Sequence, residues 1–124
     1  MGIFSFLTTV FGCTPGKEGF KSVSADEFEK CIADTSVVRL DVRTAEEYSE
    51  GHIAGTKNID VLKPDFEKKS LETLPKDKTI ALYCRSGRRS KEAARILSKN
   101  GYKIVELDTG YMGWTEAGKP VTKQ

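Results

Sequence analysis

The apolar run Thr79 to Tyr83 leads straight into Cys84, and Arg85, Arg88 and Arg89 follow within five residues. Those residue types at that spacing suit anionic sulfur chemistry. The helical pattern that begins at Ser90 sets a partial positive charge and unpaired amides beside the thiol. Ser86-Gly87 lets the backbone curl, so that several N–H groups turn inward as an anion nest. Such a setting favours the thiolate, which is the form of cysteine that attacks. The competing plain reading is a buried strand-end cysteine among solvated arginines, and both stand at this point.

No other constellation competes for the chemistry. His52 is the single histidine and follows Gly51 in a turn, so no serine–histidine–aspartate arrangement can be assembled, and it reads as a satisfied turn residue. The three cysteines, Cys13, Cys31 and Cys84, are widely spaced and include no C-x-x-C pair. That argues against a disulfide framework and a four-ligand zinc site, and an odd count leaves at least one thiol free. No motif for a metal or an organic cofactor is present. Net charge is only +2, so nucleic-acid affinity does not follow from overall electrostatics, and any positive field is local.

The surrounding pattern explains how the loop would be positioned. Ser24-Ala25-Asp26-Glu27 and Thr44-Ala45-Glu46-Glu47 are capping boxes, each predicting a helix. The first helix presents Phe28, Cys31 and Ile32 to a core; the second stops at Gly51. Strands are predicted over Val37–Val42, Asn58–Ile59, Thr79–Tyr83 and Lys103–Leu107. Pro64 introduces a helix with Phe66, Leu71 and Leu74 facing inward. Ser90 to Asn100 is a helix stopped by Gly101, and Tyr111 to Ala117 is a last helix closed by Gly118 and Pro120. Strands alternating with helices predict an α/β fold, one domain with a mainly parallel sheet covered on both faces. Ligands of such sheets bind beyond the carboxyl ends of the strands, where Cys84 falls.

Residues 1–19 read as an amphipathic segment and linker preceding a domain over 20–124. Ile3, Phe4, Leu7, Val10 and Phe11 share one helical face, and Thr14 to Gly19 is rich in Pro and Gly. The apolar run is too short to span a bilayer, and the first lysine is Lys17, after the run rather than before it as in an export signal. The placement expected is cytoplasmic, with export or lipidation at Cys13 as the minor alternative. Oligomeric state is not readable.

Three motifs in order resemble the rhodanese-like sulfurtransferase family over about residues 20–121. Asp41-Val42-Arg43, then Glu47-Tyr48 and Gly51 to Ile59, are similar to its first signature. Cys84-Arg85-Ser86-Gly87-Arg88-Arg89-Ser90 is similar to the active-site loop of single-domain members, and Gly110-Tyr111-Met112-Gly113-Trp114 to the closing segment. Thr56, Asp60 and Thr109 depart from residues frequent in the family. The resemblance implies that Cys84 accepts a sulfane sulfur from a small anionic donor, such as thiosulfate or a persulfide, and passes it to a thiol acceptor, small molecule or protein. It implies that the amides and side chains of Arg85, Ser86, Gly87, Arg88 and Arg89 hold the donor or the persulfide, with Arg85 and Arg89 foremost. Asp41 and Arg43 support the floor of the site, Arg43 and Glu47 can pair at i,i+4, and Trp114 anchors the core.

Two rivals remain. A cysteine phosphatase or arsenate reductase needs Cys-x5-Arg, but Ser90 holds the arginine position and the loop closes at Arg89, one residue shorter. The other is a persulfide carrier without turnover, or a protein-binding module on the same fold.

Overall fold

The computed structural model describes residues 19–124, so the amphipathic segment expected before Gly19 lies outside the described residues. The chain alternates strand and helix throughout: β1 Phe20–Val23, α1 Ala25–Ile32, β2 Val38–Asp41, α2 Ala45–Ser49, β3 Lys57–Asn58, α3 Phe66–Thr73, β4 Thr79–Tyr83, α4 Arg88–Lys99, β5 Lys103–Leu107 and α5 Gly110–Glu116. The five strands form one sheet in the order β1-β5-β4-β2-β3, and every pairing is parallel. The fold is α/β, as the alternation predicts.

Parallel strands need helical crossovers, and these divide the core between the two faces of the sheet. On one face Leu40, Ile80, Leu82 and Ile104 pack beneath Phe66 and Leu74 of the α3 region and Ala93, Ala94 and Leu97 of α4. On the other, Ala81, Tyr83, Val105 and Leu107 pack against Phe28, Cys31 and Ile32 of α1 and Trp114 of α5. The period-2 alternation along β4 therefore sends neighbouring residues into different cores. The central position of β4, between β5 and β2, brings its carboxyl end and Cys84 to the middle of the sheet edge.

Both capping boxes form, with Ser24 and Thr44 accepting from the Glu27 and Glu47 amides while each glutamate reaches back to the cap. Two expectations change. Leu71 is 42% exposed, and Ser70 takes the inward place because the short α3 rotates that face onto Tyr102. Cys31 lies in the core as expected but is not a free thiol, so the expectation holds for its place and not for its chemistry. Strand β1, Phe-Lys-Ser-Val, carries no clean alternation and was not predicted.

Trp114 fills the second core at 1% exposure, meets Phe28 edge-to-face with centroids 6.1 Å apart, and donates its indole N–H to the Pro120 carbonyl at 2.8 Å. Trp114→Ala leaves a cavity and a carbonyl without its donor, and is expected to lower unfolding free energy by about 3–5 kcal/mol in a urea titration. A loss under about 1 kcal/mol would show that the α5 face is not part of the cooperative core.

Candidate active site

Cys84 follows the last residue of β4 and is fully buried, and it is the free cysteine among the described residues. The chain then turns through Arg85 and Ser86 to Gly87, which caps α4 with φ +101°. That left-handed conformation favours glycine, and a Cβ at Gly87 would run into the Asp108 carbonyl. The turn aims the Gly87 N–H at Cys84 Sγ, at 3.1 Å. The first turn of α4 leaves its amides without intrahelical partners, so the sulfur faces a helix N-terminus.

The closing segment fixes this loop from outside. Tyr111 N–H donates to the Cys84 carbonyl at 2.8 Å and Met112 N–H to the Arg85 carbonyl at 2.9 Å. Gly110, at φ +67°, lets α5 start against the loop backbone, since a Cβ there would overlap the Arg85 carbonyl. Thr109 has φ −94°, an ordinary right-handed conformation, so a side chain is accommodated where a glycine is frequent.

The arginines divide into two kinds. Arg85 and Arg88 are exposed, as is Ser86. Arg89 is turned back into a two-pronged pair with Glu47, Nη1 to Oε1 at 2.9 Å and Nη2 to Oε2 at 3.0 Å. The Arg89 guanidinium, with the Thr44 amide, holds the Glu47 carboxyl down to about 2. Glu47 thus joins α2 to the start of α4 and is not the partner of Arg43 that i,i+4 spacing suggested.

Arg43 pairs instead with Asp41, Nη2 to Oδ2 at 2.6 Å with both side chains buried, and a second hydrogen from Nη2 goes to the Gly51 carbonyl at 2.7 Å. Its guanidinium lies 4.2 Å from the centre of the Tyr111 ring. The Asp41 backbone carbonyl accepts from Asn58 Nδ2 and Ile59 N–H, which ties β3 to the end of β2. Burial pushes the phenol of neighbouring Tyr83 above its ordinary range, and its oxygen accepts the Ile53 N–H at 3.0 Å. Arg43, Glu47, Gly51, Arg85, Tyr111 and Met112 line a pocket of about 400 Å³ that borders the loop through Arg85. His52 is spent structurally: Nδ1 contacts the Tyr48 carbonyl at 2.7 Å and the ring stacks on Tyr48.

Several residues at the site were missed by sequence reasoning. Ser90 Oγ lies 3.4 Å from Cys84 Sγ and donates to Glu106 Oε2 at 2.5 Å. Lys91 Nζ reaches the Gly87 carbonyl, Glu106 and Asp108 at 3.1, 3.3 and 2.9 Å. The available signal was Glu106 itself, a charged residue inside the apolar run Ile104-Val105-Glu106-Leu107.

Comparison with known proteins places this arrangement. The model of the Rhodanese-like domain family matches residues 24–117. The thiosulfate sulfurtransferase PspE of Escherichia coli is 40% identical over 67 residues, covering 54% of this chain and 64% of that protein. A sulfurtransferase of Allochromatium vinosum is 29% identical over 101 residues, covering 80% of this chain and 92% of its own. The crystal structure of a rhodanese-related protein from Thermoplasma volcanium superposes with a TM-score of 0.75 at 31% identity, over 85% of this chain and all of that one.

Because Glu47 is held below the ordinary carboxylate value, its pair with Arg89 stabilises the fold above that value and the contribution fades as pH falls toward 2. Glu47→Gln keeps the capping oxygen and removes the charge. The variant is expected to lose about 1 kcal/mol at pH 7, discounted for partial exposure, with the two denaturation curves converging near pH 2. A constant difference across that range would assign the effect to packing.

Proposed function

Since the chain belongs to the rhodanese-like domain family, and two of the relatives named above are called sulfurtransferases, we propose that it transfers sulfane sulfur through a persulfide on Cys84. The observation that carries the proposal is a free cysteine whose sulfur already accepts a backbone N–H at the start of a 12-residue helix. In the loading half-reaction the Cys84 thiolate attacks the outer sulfur of thiosulfate or of a donor persulfide. A new S–S bond forms, the donor S–S bond breaks, and its electron pair leaves with sulfite or with the donor thiolate. In the second half an acceptor thiolate attacks the outer sulfur, and the bond pair returns to Cys84. No net oxidant is needed.

Electrostatics support a small anionic donor. Arg85 and Arg88 are exposed at the loop, whereas the Arg89 charge is largely matched by Glu47. Arg85 borders the pocket and is the side chain best placed for the donor, with Ser86 beside it and the loop amides around the outer sulfur. Arg43 lines the same pocket, and buried Asp41 acts by holding the Arg43 guanidinium. The cytoplasm is the placement we propose. Among the described residues no helix is long and apolar enough to cross a membrane.

Intact mass after incubation with thiosulfate tests the proposal. The wild type is expected to gain one sulfur atom, reversibly on reduction, and Cys84→Ser to gain none. Failure with both thiosulfate and a small-molecule persulfide, in a folded protein, would remove sulfur transfer as the function. Arg85→Ala is expected to raise the half-saturating thiosulfate concentration about tenfold, the loss of one charge-assisted hydrogen bond, with a smaller effect for Arg88→Ala. Equal, small effects at both positions would return the selectivity to the backbone.

A further inference from the structure

We propose that Glu50 makes the site selective for a small acceptor thiol that carries an ammonium group. The acceptor's role rests on the sulfur-transfer reading; the charge preference of the pocket does not. One pocket then meets its two substrates with charges of opposite sign, Arg85 for the anionic donor and Glu50 for the cationic acceptor.

The charged residues that line the pocket are Arg43, Glu47, Glu50 and Arg85. The first two are already matched inside the protein, Arg43 by Asp41 and Glu47 by Arg89. Glu50 and Arg85 are both exposed, and neither side chain enters an ion pair or hydrogen bond among the described residues. A matched pair exerts little net field beyond its own contact, so the charge that a ligand meets here comes from Glu50 and Arg85.

Both of these charges hang from backbone that is fixed against α5. Met112 N–H donates to the Arg85 carbonyl at 2.9 Å. Glu50 ends α2, and the turn after it is bonded on each side. Gly51 N–H donates to the Tyr48 carbonyl at 3.1 Å, the Arg43 guanidinium donates to the Gly51 carbonyl at 2.7 Å, and His52 N–H donates to the Thr122 carbonyl at 2.8 Å. Gly51 also abuts Tyr111, since a Cβ there would lie 2.7 Å from the phenol oxygen. The backbone under Glu50 is thus held, and the last turn of α2 carries no basic residue to offset the carboxylate.

The remaining lining is Gly51, Tyr111, Met112 and Thr115, with Met112 43% exposed, a surface suited to a short carbon chain. The volume of about 400 Å³ lies toward the small end of ligand sites and fits a thiol of amino-acid size. In the unloading half-reaction such a thiol loses its proton to solvent and attacks the outer sulfur of the Cys84 persulfide. A new S–S bond forms to the acceptor, the bond to Sγ breaks, and its electron pair returns to Cys84. The ammonium group takes no part in this exchange; Glu50 holds it while the sulfur attacks. An acceptor with a carboxylate in its place is repelled by Glu50 and competes with the donor for Arg85.

Three thiols of similar size test the proposal: cysteamine is cationic, mercaptoethanol neutral and mercaptoacetate anionic. Cys84 is loaded with thiosulfate or a small-molecule persulfide, and single-turnover loss of the added sulfur is followed by intact mass. Each rate is divided by that of mercaptoethanol with the same protein, which cancels changes in Cys84 itself. Glu50→Gln is expected to lower the relative rate of cysteamine about three- to fivefold, the loss of one exposed ion pair, and to raise that of mercaptoacetate. Glu50→Lys is expected to place mercaptoacetate ahead of cysteamine, and salt of about 1 M to shrink the wild-type preference. Unchanged relative rates in both variants overturn the proposal while leaving sulfur transfer in place. If the wild type gains no sulfur from either donor, sulfur transfer is removed, and Glu50 is judged by mixed-disulfide formation at Cys84. The reagents are then cystamine and hydroxyethyl disulfide, with Cys84→Ser as the blank. A preference for cystamine that falls in Glu50→Gln retains the proposed charge selectivity, and equal ratios in the two proteins overturn it.

Discussion

A fully buried carboxylate on β5 organises the side of the molecule on which the thiol sits. Burying a charge is costly unless hydrogen-bond donors replace the lost water. Glu106 has three such donors, Ser22 from β1 and Ser90 and Lys91 from α4. Each must be in place together, so the edge strand, the neighbouring strand and the first turn of α4 are fixed relative to one another. That first turn also forms the wall of the cysteine loop. The position of the loop is therefore tied to the satisfaction of one charge beneath it, and a small shift of α4 would both expose Cys84 and strand Glu106.

The loop is held from above by a different device. Helix α5 begins by donating two backbone N–H groups to the carbonyls of Cys84 and Arg85, with Gly110 permitting the close approach. With those carbonyls turned to α5, the Gly87 N–H is the loop amide that meets the sulfur. Backbone dipoles, not arginine side chains, then supply the donor that the sulfur meets directly. The arginine cluster divides: Arg89 bolts α2 to α4 through Glu47, while Arg85 and Arg88 stay exposed.

Much of this was legible in the sequence because it rests on local rules. Capping boxes, the strand-loop-helix passage through Cys84, and the C-cap at Gly101 each depend on residues a few positions apart, and each formed. What misled was pairing across the chain. Arg43 and Glu47 sit at helical spacing, yet Arg43 turns to Asp41 and Gly51 and Glu47 reaches Arg89, 42 residues away. Stronger bidentate geometry and burial decide such choices, and neither is written in local spacing. Strand β1 escaped because half-buried Lys21 and exposed Ser22, whose hydroxyl donates to Glu106, interrupt the apolar pattern on which strand recognition depends. Strand β5 stayed legible despite Glu106, because Ile104, Val105 and Leu107 carry the β-branched and apolar pattern around it.

The same charge lies close to the one free cysteine of the described residues. A thiolate held permanently at neutral pH reacts with any electrophile that reaches it, whereas a thiol is far less reactive. Here Cys84 Sγ accepts the Gly87 N–H at 3.1 Å and lies 3.4 Å from Ser90 Oγ, whose hydroxyl donates to Glu106. The donor nearest the sulfur is therefore a fixed backbone dipole and not a mobile side chain, so the surroundings of Sγ depend on where the first turn of α4 is held.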